Sequence, residues 1–367
     1  MCGSRGSRSS GPSRASRKQL PLWRREDDGE KSSMMERVGA AMIVDEQNLA
    51  WLLEEGEPSI RYRALTELMG FRENEEQVRR TRDLIPSSRP VELLFSAMEP
   101  DGSWRYEYRD QINRYFKYLS ATLGYAAELG LDATDNRVVR AVEHLFSMQK
   151  TDGDFYRHYS CYNGLLLRSL NRLGFGADKR VRRLRALVLE SIRHDGGYHC
   201  DFRPRRGRNA ATPHKSCIKG SLKSLFAFSE DPELSQADES ERLAHYFLKR
   251  GLIFRSDAPG VPVVDNLTKL SFPVTYHPGL LEPLYALSLL GYGDRPELED
   301  AWTMLLSKVD NNGRLPLEKT VPWEHLHCGT RRRENKWLTL YAGIVEKHRC
   351  GNPILAHGRC CNRRKGQ

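Results

Sequence analysis

The stretch "SMQKTDGDFYRHYSCYNGLLLRSL", Ser147 to Leu170, runs from an acidic glycine turn through a polar segment holding His158 and Cys161 into a helix-like apolar run. A sharp turn on glycine between two apolar runs is the plan of a helical hairpin. The plan recurs: "EEGEPS" at Gly56, "MEPDGSW" at Gly102, "QKTDGDF" at Gly153, "IRHDGGY" at Gly196, "SDAPGVP" at Gly260 and "VDNNGRL" at Gly313, at intervals of 46, 51, 43, 64 and 53 residues. Self-similarity with a period near fifty marks a repeat architecture, in which no unit buries its apolar face alone.

The runs on either side of the turns differ in character. Before the turn, "NRVVRAVEHLFSMQ" sets Val138, Val139, Val142, Leu145 and Phe146 at helical spacing among charges, so it covers something on one face only. After the turns come "PSIRYRALTELMG", "KYLSATLGYAAELG", "YNGLLLRSLNRLG", "IKGSLKSLFAF", "HPGLLEPLYALSLLG" and "NKWLTLYAGIVEK", apolar or small on more than one side and several ending near glycine. These read as inner helices. Strand signals are confined to short pieces such as "GVPVV". The expected fold is all-α: six outer-turn-inner hairpins closing into an α/α toroid of two concentric helix layers.

The units also match residue by residue. "SCYNGLLLRSL" from Ser160 and "SCIKGSLKSL" from Ser216 share Ser, Cys, Gly and Leu at equal offsets, and "TYHPGLLEPL" from Thr275 keeps the glycine and leucine. The shared glycine (Gly164, Gly220, Gly279) falls in the first turn of an inner helix, where close helix approach is its expected role and ligand contact the alternative.

The chain of 367 residues carries a formal charge of +10, but the excess sits at its ends. Residues 1–33 hold eight Lys/Arg against four Asp/Glu, residues 347–367 hold six against none, and the body between them balances at 44 each. A neutral body argues against nucleic acid as the main partner. Residues 1–33, rich in Ser, Arg and Gly, read as a disordered basic leader, 40–348 as the toroid domain and 349–367 as a basic tail. The leader lacks the apolar core of a secretory signal, and no apolar run is long enough to span a membrane. Eight cysteines without compact disulfide spacing fit a reducing cytoplasm.

"QKTDGDF" has the form of the QW motif of squalene and terpenoid cyclases, and "MEPDGSW" is the same motif with Met98 in place of Gln. Together with "DGGYHC" (Asp195 to Cys200), Cys217 and "WLTL" (Trp337 to Leu340), they make the body resemble the terpenoid cyclase and protein prenyltransferase α/α-toroid superfamily, in particular its uncharacterised prokaryotic members described as prenyltransferase or squalene-oxidase repeat proteins. The resemblance covers about residues 40–348. It implies a central cavity for an apolar or isoprenoid ligand and a transferase- or cyclase-like activity. The sequence departs from it in two places: the D-x-D-D acid of class II cyclases is absent, and so is the Asp-x-Cys zinc pair of prenyltransferase β subunits.

Polar groups that could carry chemistry cluster where turn meets inner helix. His199, Cys200, His214 and Cys217 are a candidate zinc set, since Cys sulfur and His nitrogen suit tetrahedral zinc, although the spacing H-C-x16-C is not a standard signature. Partly buried cysteines packing as small hydrophobes are the plainer reading. A thiolate at the start of an inner helix, Cys161 or Cys217, is a further alternative. Asp201 and Glu282 are candidate catalytic acids because they break the repeat, whereas Asp101, Asp152 and Asp195 recur in equivalent turns and read as turn residues. Tyr115, Tyr118, Tyr162, Tyr276 and Trp337 are candidate cavity walls, with ordinary core packing as the alternative. Arg333, in the run Arg331 to Arg333 beside Lys336, is a candidate anion contact, against a solvated loop. Two rival functions stay open: a helical-repeat scaffold for protein partners, because "EPSIRYRALTELMG" also resembles a HEAT-type helix, and a carbohydrate-active α/α barrel with paired carboxylates.

Overall fold

Aspartates start three of the outer helices. Asp45, Asp135 and Asp178 each accept a hydrogen bond from a backbone N–H in the first turn of the helix that follows, which satisfies one of its unpaired donors. The structure, a computed structural model, describes residues 43–107, 110–199, 216–255 and 257–350. The leader at 1–33, the tail beyond Cys350 and the segment 200–215 lie outside the described residues.

The outer layer comprises α1 (Glu46–Leu52), α3 (Glu76–Leu84) with α4 (Arg89–Ser96), α6 (Asn136–Phe146), α8 (Lys179–Glu190), α10 (Asp238–Leu248) and α12 (Glu299–Leu306). These bury one face, as in α6, where Val138, Ala141, Val142, Leu145 and Phe146 point inward. The inner layer comprises α2 (Pro58–Arg63, extended by a π-turn over Ala64–Leu68), α5 (Ile112–Glu128), α7 (Ser160–Arg172), α9 (Ile218–Glu230), α11 (Leu281–Leu287, extended by a π-turn over Ser288–Tyr292) and α13 (Lys336–Cys350). Inner helices are buried nearly all round; in α7 every residue from Ser160 to Leu170 is covered. Each packs on the next, α5 on α7, α7 on α9, α9 on α11 and α11 on α13, and α13 returns to α2 and its π-turn. The Arg63–Glu128 ion pair joins α2 to α5 and completes the circle. The fold is an all-α, six-hairpin α/α toroid.

The turn glycines explain the repeat. A Cβ on Gly102, Gly153 or Gly196 would fall 2.2, 2.8 and 2.5 Å from backbone atoms of Arg140, Arg183 and Arg242, each on the outer helix of the following unit, and all three glycines have φ between +82° and +95°. Each turn thus docks on the next outer helix, and only glycine fits both the space and the backbone. Gly313 does the same at the seam, 2.5 Å from Asn48 Nδ2 on α1. The turn acids serve the turns: Asp101, Asp152 and Asp195 accept from the N–H two residues on, at 3.0, 3.0 and 3.1 Å. Inner-layer glycines permit close approach, with a Cβ on Gly164 falling 2.6 Å from Ser224 N and one on Gly220 falling 2.0 Å from Ser160 Oγ.

Two turns depart from the plan. Gly56 has open space around it. Gly260 lies in β2 (Ala258–Pro262), antiparallel to β1 (Phe254–Arg255), in place of a docking turn. After the ribbon, the connection 263–280 leads to α11.

Candidate functional site

The two ends of the ring differ in chemistry. At the end formed by the C-termini of α5, α7 and α9, all six inner helices contribute to one polar network. Glu128 on α5 accepts from Arg168 Nη1 at 2.5 Å, from Tyr341 on α13 at 2.6 Å and from Arg63 on α2. Arg168 also pairs with Glu230 on α9 at 2.8 Å, Arg172 bridges Glu230 and Glu67, and Tyr285 on α11 donates to Glu67 at 3.2 Å. Three arginines meet three glutamates, so the charges cancel. Burial alone would raise the Glu128 pKa; Arg168 and Arg63 outweigh it and hold the carboxyl at about 2.

Between the two ends, the connection before α11 reaches inward. Phe272, 1% exposed, stacks on Trp337 at 4.9 Å and meets Tyr125 edge-on at 6.0 Å. The connection is pinned by Phe272 N–H to Lys319 O at 3.1 Å and by Glu318 and Lys319 N–H groups to Leu270 O at 3.0 Å.

The opposite end, the mouth, gathers the starts of α5, α7 and α9 and the loops before α11 and α13. Tyr276 and His277 stand there half-buried, their rings 3.9 Å apart. Lys117 Nζ lies 5.0 Å from the Tyr276 ring centroid and Lys219 Nζ 5.6 Å from it. Lys319 Nζ donates to Asn266 Oδ1 at 2.8 Å, and Asn266 Nδ2 lies 3.4 Å from His277 Nδ1. Burial and the charges of Lys219, Lys117, Lys319 and Lys223 depress His277 to about 3, so its imidazole is neutral near pH 7. A second aromatic group gathers on Tyr118 of α5: Tyr106 stacks on Tyr118 at 4.3 Å, Trp323 meets Tyr118 edge-on at 5.1 Å, and Tyr118 Oη lies 3.0 Å from His325 Nε2.

The expected site residues divide sharply. Glu282 is on the inner layer and buried, where it is ion-paired to Lys223 and accepts the Gly279 N–H at 3.0 Å. Burial raises Glu282 and lowers Lys223, and the pair stays together beneath the mouth. Tyr162 is 4% exposed among Phe116, Tyr156, Tyr159 and Tyr276, and Tyr115 bonds His144 at 2.6 Å. Trp337 is covered by Phe272. Of the expected aromatic walls, Tyr276 is therefore the one with open surface. Arg333 is exposed, and neighbouring Lys336 is neutralised by Glu54 and Glu57 at 2.7 and 2.5 Å. His158 faces Asp152 at 3.3 Å, and Cys161 is buried.

Of the zinc set, Cys200 and His214 lie outside the described residues, as does Asp201. His199 Nδ1 lies 3.3 Å from Arg193 Nη1, and the Cys217 N–H donates to Tyr198 O at 2.6 Å. Among the described residues no three His, Cys, Asp or Glu side chains gather as metal ligands, so the described half of the set does not make a site by itself.

Sequence reasoning passed over Lys117, Lys219, Lys319 and His277. A signal was present: Lys117 interrupts an apolar run in the second turn of α5, Lys219 lies in the first turn of α9, and His277 adjoins Tyr276. A groove of about 580 Å³ outside the ring, between α2 and α3, mixes Glu55, Arg61, Glu75 and Arg80 and holds none of the candidate residues. No described helix is long and apolar enough to cross a membrane.

No family model matches the chain, and no curated protein matches it. Among solved structures it is similar to a glycosyl hydrolase of family 88 from Bacteroides vulgatus, with a TM-score of 0.45 and 13% identity over 88% of this chain and 99% of that one. It is also similar to a polysaccharide lyase, at 0.43 and 12% over 81% and 90%. The type II terpene cyclase MstE from Scytonema follows at 0.30 and 12% over 72% and 97%. The toroid assignment rests on the closed ring of helices itself.

Proposed function

We propose that the protein binds a small organic ligand at the mouth, with an apolar body, isoprenoid in the leading reading, lying against Tyr276 and Trp323. One observation carries this: at the mouth, half-buried aromatic rings coincide with ammonium groups that have no carboxylate partner among the described residues, whereas at the far end every arginine meets a glutamate. Partly exposed aromatic surface beside a few converging polar groups is what small-molecule recognition uses. The closed ring supports this reading over an open scaffold, which would offer a protein partner a long concave face. Neutral His277 and the Tyr276 hydroxyl are the groups such a site offers for proton exchange with a ligand.

Phe272, buried between Trp337 of α13 and Tyr125 of α5, favours a second reading, in which a saccharide lies across the mouth without entering the ring. Uncharged probes separate the two. Farnesol is expected to raise the melting midpoint of the wild type and to lose that effect in Tyr276→Ala. A shift with maltotriose in place of farnesol transfers the proposal to the saccharide reading, and no shift with either overturns the mouth as a site for an organic body.

A further inference from the structure

We propose that the mouth holds a multivalent oxyanion on its ligand, a phosphate or diphosphate group or a set of carboxylates, bound by Lys117, Lys219 and Lys319 with His277 donating from Nε2. The proposal deepens the assignment of the mouth as the ligand site and rests on it.

The three lysines come from three separate elements, α5, α9 and the loop before α13, yet act on the same place. Lys117 and Lys219 both approach the Tyr276 ring, at 5.0 and 5.6 Å, and Lys319 reaches the neighbouring His277 through Asn266. None of the three has a carboxylate within ion-pair distance among the described residues. Lys223, one turn further along α9 from Lys219, is taken by Glu282. Burial and the positive charges of Lys319, Arg114 and Lys219 all disfavour the Lys117 ammonium, a repulsion that a bound anion converts into attraction.

The imidazole tautomer follows from its partners. An ammonium only donates, so the Asn266 oxygen faces Lys319 and its NH2 faces His277; an amide NH2 only donates, so His277 Nδ1 accepts and Nε2 carries the proton. His277 therefore gives the site a neutral donor beside three positive charges. Compact ammonium groups suit oxyanions as point charges. One carboxylate would leave two of the three uncompensated, which favours a group of higher charge.

Calorimetry on the full chain, with inorganic pyrophosphate and with citrate as probes, tests this. The wild type is expected to bind at least one of them, and Lys117→Gln with Lys219→Gln is expected to weaken binding by roughly 100-fold, about tenfold for each charge-assisted hydrogen bond removed. Tighter binding of pyrophosphate assigns a phosphate head and tighter binding of citrate a carboxylate head. Lys249→Gln, on the exposed end of an outer helix, should bind as the wild type does. Failure of the wild type to bind either probe, or unchanged affinity in the double variant, overturns the proposal. If farnesol still stabilises the protein in that case, the oxyanion site alone is lost; if it does not, the mouth fails with it.

Discussion

Asn48 closes the ring against Gly313. Its Nδ2 donates to Asn312 O and to Ile43 O, both at 2.9 Å, while its side chain fills the space that a Cβ on Gly313 would need. First and last units are thereby joined by one fully buried amide. Asn48→Ala leaves two carbonyls short of a donor and is expected to cost about 1–3 kcal/mol in urea unfolding. Gly313→Ala, with φ at +76° and a clash to relieve, is expected to destabilise as well. Wild-type stability in both variants would show that the seam contributes nothing.

Gly164→Ala sets helix propensity against packing. Alanine gains up to about 1 kcal/mol over glycine inside a helix. Here its Cβ would meet the Lys223–Ser224 backbone at 2.6–2.7 Å, and backbone cannot swing aside as a side chain can. Overpacking of this kind costs roughly 1–3 kcal/mol, so net destabilisation is expected. Gly56→Ala, with nothing within 4 Å, should change the urea midpoint little. The reverse ranking would contradict the close contact of α7 with α9.

The Arg168–Glu128 pair is buried at both ends. Replacing Arg168 with Met strands part of the Glu128 charge and leaves Glu230 with Arg172 alone, for an expected loss of about 3–5 kcal/mol. A combined Arg168→Met and Glu128→Gln variant should recover part of that loss in a double-mutant cycle. Strict additivity would indicate that the two groups do not interact.

Acid should destabilise the protein in two overlapping windows. Burial, with the lysine charges in the case of His277, lowers His277 to about 3 and His325 to about 4. The unfolded chain takes up these protons near pH 6.5 while the folded one refuses them, so stability falls as pH drops from about 6.5 toward 4. Glu128 is held at about 2 against an unfolded value near 4.3, so its contribution is present above about pH 4.3 and lost toward pH 2. Thermal midpoints between pH 8 and 3 should decline steadily below pH 6.5. His277→Gln should flatten the upper window, and a midpoint that climbs between pH 7 and 5 would contradict the assignment.

The ring was legible in the sequence because four of the six hairpins carry a docking glycine and all six carry an inner helix apolar on several sides. The end network was not, because Arg63, Glu128, Arg168, Glu230 and Tyr341 come from helices tens to hundreds of residues apart, and an isolated Arg or Glu in an apolar helix does not announce its partner. The interval of 64 residues before Gly260 is the longest of the five, but nothing local indicated that Phe272, beyond it, would be buried against Trp337 and Tyr125. Attention to His, Cys and Asp drew the candidate site toward 199–217, of which 200–215 lie outside the described residues, and away from lysines whose meaning depends on a lack of carboxylates nearby.

The neutral network of three arginines and three glutamates fastens the inner helices to one another at one end of the ring. Every charge in it meets a partner from another helix, so none of α2, α5, α7 and α9 can slide or tilt at that end without parting an ion pair, and any give in the ring falls to the end where Tyr276 and His277 stand.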